Sequence, residues 1–151
     1  MAEKKLLTRR NILIGLVALL ILMQFKRIDK TMPPIEEAKT FLNYADAPLQ
    51  VQRVLKDACY DCHSYETKYP WYTNVAPISI WIGGHIKNGR QQVNYSIWGD
   101  YTPSKQKHKI EESIEVLEQK RMPPKSYKWM HPKAKMSDKD LSALLAWFKS
   151  L

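Results

Sequence analysis

The chain has 151 residues, 24 Lys and Arg against 15 Asp and Glu, and a formal net charge of +9. That length suits one modest core, and 44% hydrophobic with 11% aromatic content excludes a disordered chain. Two cysteines cannot staple a fold, and five glycines are too few for a Gly-rich nucleotide-binding or fibrous protein.

The basic excess is uneven. Residues 1–30 carry Lys4, Lys5, Arg9, Arg10, Lys26, Arg27 and Lys30 against Glu3 and Asp29, a net +5 that leaves only +4 for the rest. No nucleic-acid partner is expected from such a distribution. Asn11 through Phe25 holds no charged residue, and Ile12–Met23 is almost continuously aliphatic. Its 15 uncharged residues would span roughly 22 Å as a helix, short of a ~30 Å hydrocarbon core. Snorkelling of Arg10, Lys26 and Arg27 and local thinning make one span feasible. No small-x-small cleavage site follows, so an uncleaved anchor is expected rather than a removed signal. The chain is thus read as a single-pass protein of the cytoplasmic (inner) membrane, with the remaining residues on the periplasmic or outer side. A buried core helix is the bland alternative, disfavoured because the run is apolar all round.

Residues 1–30 are therefore assigned to the anchor, 31–47 to a linker beginning at Pro33-Pro34, and 48–151 to one domain. Val51, Val54, Leu55 and Ala58 repeat at i, i+3, i+4 and i+7, with Pro48 suited to a first turn. Ile78–Gln92 reads as a helix after Pro77, and Ser104–Arg121 as another with Ile110, Ile114 and Leu117 on one face. Leu141, Leu144, Leu145 and Phe148 form the last stripe, behind a capping box of Ser137 and Asp140. No alternating pattern longer than a few residues argues for a strand. The expectation is an all-α domain of four or five short helices, its thin core completed by a bound cofactor among loops such as Tyr69-Pro70-Trp71-Tyr72.

Cys59-Tyr60-Asp61-Cys62-His63 is C-x-x-C-H, the attachment signature of c-type haem. Two cysteines three positions apart at a helix end point the same way, within reach of the two vinyl groups of one porphyrin. His63 then supplies an imidazole nitrogen to the iron. Three other readings compete: a thioredoxin-like redox pair, which wants a βαβ surround; a zinc site, which needs ligands beyond these; and a plain disulfide. Haem attachment to such motifs occurs outside the bacterial cytoplasmic membrane, in agreement with the anchor.

Cys59–His63 with Ser64, Tyr69-Pro70-Trp71-Tyr72, Asn74, Ala76-Pro77, Gly89-Arg90, Asn94, Ser96 and Trp98 resembles the bacterial haem-binding domain family. Met122-Pro123-Pro124, Tyr127, His131-Pro132 and the Trp147-containing helix extend the resemblance over roughly residues 45–150. It implies a cytochrome c-like, membrane-tethered, mono-haem protein.

Met122 is the expected sixth ligand. Pro123 disfavours helical geometry at the residue before it, so the chain turns out there, and Pro123-Pro124 stiffens the segment after it. The segment is similar to the Met-Pro by which many class I cytochromes c present their sulfur. An ordinary core methionine is the alternative. His85, on a face with Ile78, Trp81 and Ile82, is the main rival; Met130 and His131 come next, while His108 and Met136 are disfavoured. Arg90 is the candidate for a haem propionate, against a surface ion pair. Trp71, Tyr72 and Trp98 could pack against the porphyrin or form plain core.

An iron with both axial positions filled favours one-electron transfer over catalysis. The chain is accordingly expected to be an electron carrier, not an enzyme, with a haem-based sensor or weak peroxidase as the alternative and a zinc-binding interaction module as a third. Lys105, Lys107, Lys109, Lys120, Arg121, Lys125 and Lys128 bracket Met122 and either steer an acidic redox partner or form a plain solvated charged face.

Overall fold

The computed structural model describes residues 8–151. They are helical, and no strand occurs among them. Eight α-helices appear in order: α1 Arg9–Met23, α2 Phe41–Tyr44, α3 Leu49–Ala58, α4 Tyr60–His63, α5 Ile78–Gln92, α6 Pro103–Glu118, α7 Lys125–Met130 and α8 Asp138–Phe148. Short 3₁₀ turns at Glu37–Lys39, Trp71–Asn74, Tyr95–Asp100 and Pro132–Ala134 link them.

The described residues divide into two compact units, one of residues 8–30 with 69–85, the other of residues 31–68 with 86–151. In the first, Thr8 caps α1 by accepting the amide of Asn11 at 3.3 Å. Past Met23 the amides of Gln24, Phe25 and Lys26 turn back on the carbonyls of Ile21, Leu22 and Met23, and side chains reach outward. Gln24 Nε2 donates to the carbonyl of Leu20 (2.8 Å) and to that of Ala76 (3.0 Å), while the Ala76 amide returns a bond to Gln24 Oε1 (3.0 Å). Arg27 donates to the Asn74 carbonyl, and Lys30 Nζ to Thr73 Oγ1 and Asn74 Oδ1 at 3.0 and 2.7 Å.

This overturns the single-pass reading. The 15-residue α1 reaches about 22 Å, and no helix among the described residues is long and apolar enough to cross a membrane. The transmembrane helix behind the domain, the inner-membrane location and the outward placement lose their support together. Hydropathy registered the aliphatic run; it could not register that Gln24, Arg27 and Lys30 fasten the chain to Thr73–Ala76. Lys4 and Lys5, counted toward the basic flank, lie outside the described residues.

The second unit holds the core. Val51, Val54, Leu55 and Ala58 of α3 are buried as their spacing foretold, and so are Leu117 of α6 with Leu144 and Phe148 of α8. Helices α3 and α6 both contact α8. The segment read as a linker supplies Phe41, fully buried, whose ring lies 4.9 Å from Tyr95, 4.3 Å from Trp98, 5.2 Å from Trp147 and 5.8 Å from Phe148. The capping box of α8 is present: Asp140 N donates to Ser137 Oγ (3.1 Å), and Ser137 N to Asp140 Oδ2 (3.4 Å).

Helix α6 begins at Pro103, with Thr102 as its cap, and ends earlier than its hydrophobic pattern suggests. Lys120 turns left-handed (φ 54°), its amide bonding Leu117 O and that of Arg121 bonding Val116 O. This pair of bonds closes the helix end and releases the chain into Met122-Pro123, a cis peptide.

Candidate functional site

The C-x-x-C-H residues form one turn. Cys59 ends α3 with its amide on the Leu55 carbonyl at 2.9 Å, and its own carbonyl accepts from Cys62 N (3.2 Å) and His63 N (2.9 Å). Both thiols are free. Burial pushes the Cys59 thiol up to about 12, the neighbouring Cys62 adding to it; burial and then Asp61 push Cys62 up to about 11, against the opposing Arg90 charge. Both therefore stay protonated at neutral pH. A redox-active pair instead requires a stabilised thiolate. Zinc also lacks support, since among the described residues no three His, Cys, Asp or Glu side chains gather as a metal site.

His63 is oriented by the backbone. Its Nδ1 lies 3.1 Å from the Val93 carbonyl. A carbonyl only accepts, so Nδ1 carries the proton and Nε2 keeps its lone pair. Burial holds the imidazole below its ordinary pKa, with the carbonyls of Val93 and Gly89 opposing, so the ring is neutral and able to ligate. The Val93 carbonyl is itself fixed at the end of α5: Val93 N donates to Gly89 O (3.0 Å) and Asn94 N to the Tyr101 hydroxyl (3.0 Å). The buried Asn94 side chain accepts from Ser96 N at 3.0 Å. Ser96 Oγ in turn accepts from Tyr65 N at 2.8 Å.

Gly89 lets α5 lie against this turn, for a Cβ there would stand 2.6 Å from the Cys62 carbonyl oxygen. Arg90, expected at a propionate, donates from Nε to Ser64 O (2.8 Å) and from Nη2 to Thr67 Oγ1 (2.9 Å), with Tyr65's ring 5.2 Å from its guanidinium carbon. It braces the chain leaving the motif. Asp61, passed over as a variable position of the motif, is buried and binds two partners: Lys68 N at 2.9 Å through Oδ1 and the Tyr127 hydroxyl at 2.6 Å through Oδ2.

The structure thus brings Cys59, Cys62, His63 and Arg90 together. Trp98 sits in the aromatic core beside Phe41 and Tyr101. Trp71 and Tyr72 belong to the other unit, where Trp71 is 77% exposed and Tyr72 is buried. His85 lies there too, its ring 4.2 Å from that of Trp81. His108 is exposed and faces Glu112 at 3.3 Å. His131 stacks on Tyr127 at 4.0 Å and donates from Nδ1 to the Tyr127 carbonyl (3.1 Å). Met122 is 38% exposed between α6 and α7. The roles of Asp61, Tyr127 and Val93 escaped the sequence reading because they arise from contacts between distant segments, although Asp61, Gly89 and Tyr127 stood among the residues of the resemblance.

The donor set suits a haem: two neutral thiols on one turn and an imidazole whose Nε2 is kept basic by a carbonyl on the other nitrogen. Fold and site together define a helical haem-binding protein. The sequence model of the haem-binding domain matches residues 18–150, and the chain belongs to that family. No curated protein and no solved structure matches it.

Proposed function

We propose that this haem-binding domain carries a single haem c bonded through Cys59 and Cys62, with His63 and Met122 as axial ligands, and passes single electrons. The observation that carries the reading is the Nδ1–H to Val93 bond, which frees His63 Nε2 on the same turn as both thiols. When bound, the haem supplies one-electron redox chemistry at iron. The chain's own residues do the rest. Gly89 lets α5 approach the turn, Val93 holds the imidazole, and Arg90 fixes Ser64–Thr67. Lys107, Lys120, Arg121 and Lys125 are exposed on either side of Met122 and suit an acidic redox partner, whose association should weaken with salt.

Expression with a haem-maturation system tests this. Colour should stay with the polypeptide through acid–acetone extraction, and Cys59→Ala with Cys62→Ala should abolish it; retained colour in that double variant refutes attachment. Met122→Ala should keep the haem, lose the weak long-wavelength band of sulfur-ligated ferric iron and admit CO. Unchanged spectra would remove Met122 from the ligand set. The sensor or weak-peroxidase reading draws on one observation, the 38% exposure of Met122, since a ligand on a residue open to solvent is more readily displaced than one held in a core. Rapid CO binding by the unaltered protein selects that reading.

A further inference from the structure

We infer that the Asp61–Tyr127 hydrogen bond is a latch that sets the Met122 segment against the haem-attachment turn; this rests on the reading of Met122 as axial ligand. Asp61 lies inside C-x-x-C-H, and its buried carboxylate has both oxygens engaged. Oδ1 accepts from the amide of Lys68, which closes the loop leaving the motif, and Thr67 Oγ1 donates to the Asp61 carbonyl at 2.7 Å. Oδ2 accepts from Tyr127, 66 residues along the chain, at 2.6 Å. At that separation the two groups form a short, direct hydrogen bond.

Tyr127 sits in α7, whose cap is Pro124, and only the stiff Pro123-Pro124 pair and two further residues separate it from Met122. Whatever fixes Tyr127 therefore restricts where Met122 can go. Before Met122 the chain is held by the left-handed turn at Lys120 and the bonds to the Val116 carbonyl. After it, His131 stacks on Tyr127 and keeps that ring aligned. Asp61 and Tyr127 hydrogen-bond to the segments they join and to neither a thiol nor a His63 or Met122 side-chain atom. They are positioning residues, and they make the proximal turn and the distal segment one mechanical assembly. Loss of the bond through Tyr127→Phe should let residues 120–130 swing while leaving Asp61 in place beside Cys62.

The matured full chain and its Tyr127→Phe variant should be compared by amide hydrogen exchange and by CO binding to the ferrous form. A hydrogen bond to a charged group, once lost, raises local opening about ten- to a hundredfold. Exchange across residues 120–130 should rise by that factor while α8 exchanges as before, and CO should bind at least about tenfold faster. Asp61→Asn provides the second variant: its one carbonyl oxygen replaces two carboxylate oxygens, so an intermediate effect is expected. Exchange and CO binding unchanged in both variants would overturn the latch. If exchange across 120–130 rises but the unaltered protein already binds CO rapidly, the latch stands and Met122 ligation falls.

Discussion

At the scale of single residues, the site depends on atoms that are absent as much as on those present. Gly89 is the sharpest case, because the atoms a Cβ would strike are backbone. Gly89→Ala should destabilise the domain by about 1–3 kcal/mol and lower the yield of haem-bound protein, because α5 must retreat from the Cys62 carbonyl. Gly84→Ala is the control. Nothing lies within 4 Å of a Cβ there, so the change should stabilise the helix by up to about 1 kcal/mol. Thermal melts of both proteins check the pair, and equal melting temperatures would show that close approach at residue 89 is unimportant. The motif itself was legible because all its chemistry lies within five contiguous residues. Arg90 stood out as a guanidinium suited to a carboxylate, yet its partners, Ser64 and Thr67, are set by where α5 lands and not by its own neighbours in sequence.

At the scale of elements, periodicity located α3, α5, α6 and α8, and capping chemistry placed the start of α8. The cap has a pH signature. The hydrogen bond from Ser137, then that from Gln50 and the nearby Arg53 charge hold the Asp140 carboxyl below its usual range. A depressed folded value means the contribution is complete above the unfolded pKa, about 4, and is lost as pH falls through the folded one. Ser137→Ala should cost about 1 kcal/mol at neutral pH, and the deficit should narrow below about pH 4. Urea titrations at the two pH values measure it; a deficit as large at low pH would show that the carboxylate takes no part. The ends of α1 and α6 were less legible. The first closes in a tight turn from which Gln24 reaches Ala76, the other in the left-handed turn at Lys120 that precedes Met122-Pro123.

At the scale of the whole molecule, the larger unit is organised by aromatic side chains. Phe41 contacts rings from the 95–98 turn and from α8, so three segments meet on one side chain. Phe41→Ala should cost about 3–5 kcal/mol, seen as a lower urea midpoint with unchanged slope. A loss below about 1 kcal/mol would mean that the core closes without it. This residue stood in a stretch that looks like a tether, since Pro33-Pro34 and scattered charges mask four helical residues.

The sequence by itself determined whatever is encoded within a helical turn or two: the helical class, the amphipathic stripes, the capping box and the five-residue haem signature. These depend on spacing along the chain, which sequence displays directly. The tertiary structure alone decided that α1 is fastened at Gln24 to Ala76, that Phe41 belongs to the core, that Val93 holds His63 and that Asp61 reaches Tyr127. Each of those joins residues tens of positions apart, by hydrogen bonds or burial that exist only once the intervening chain has packed, and no local pattern records them.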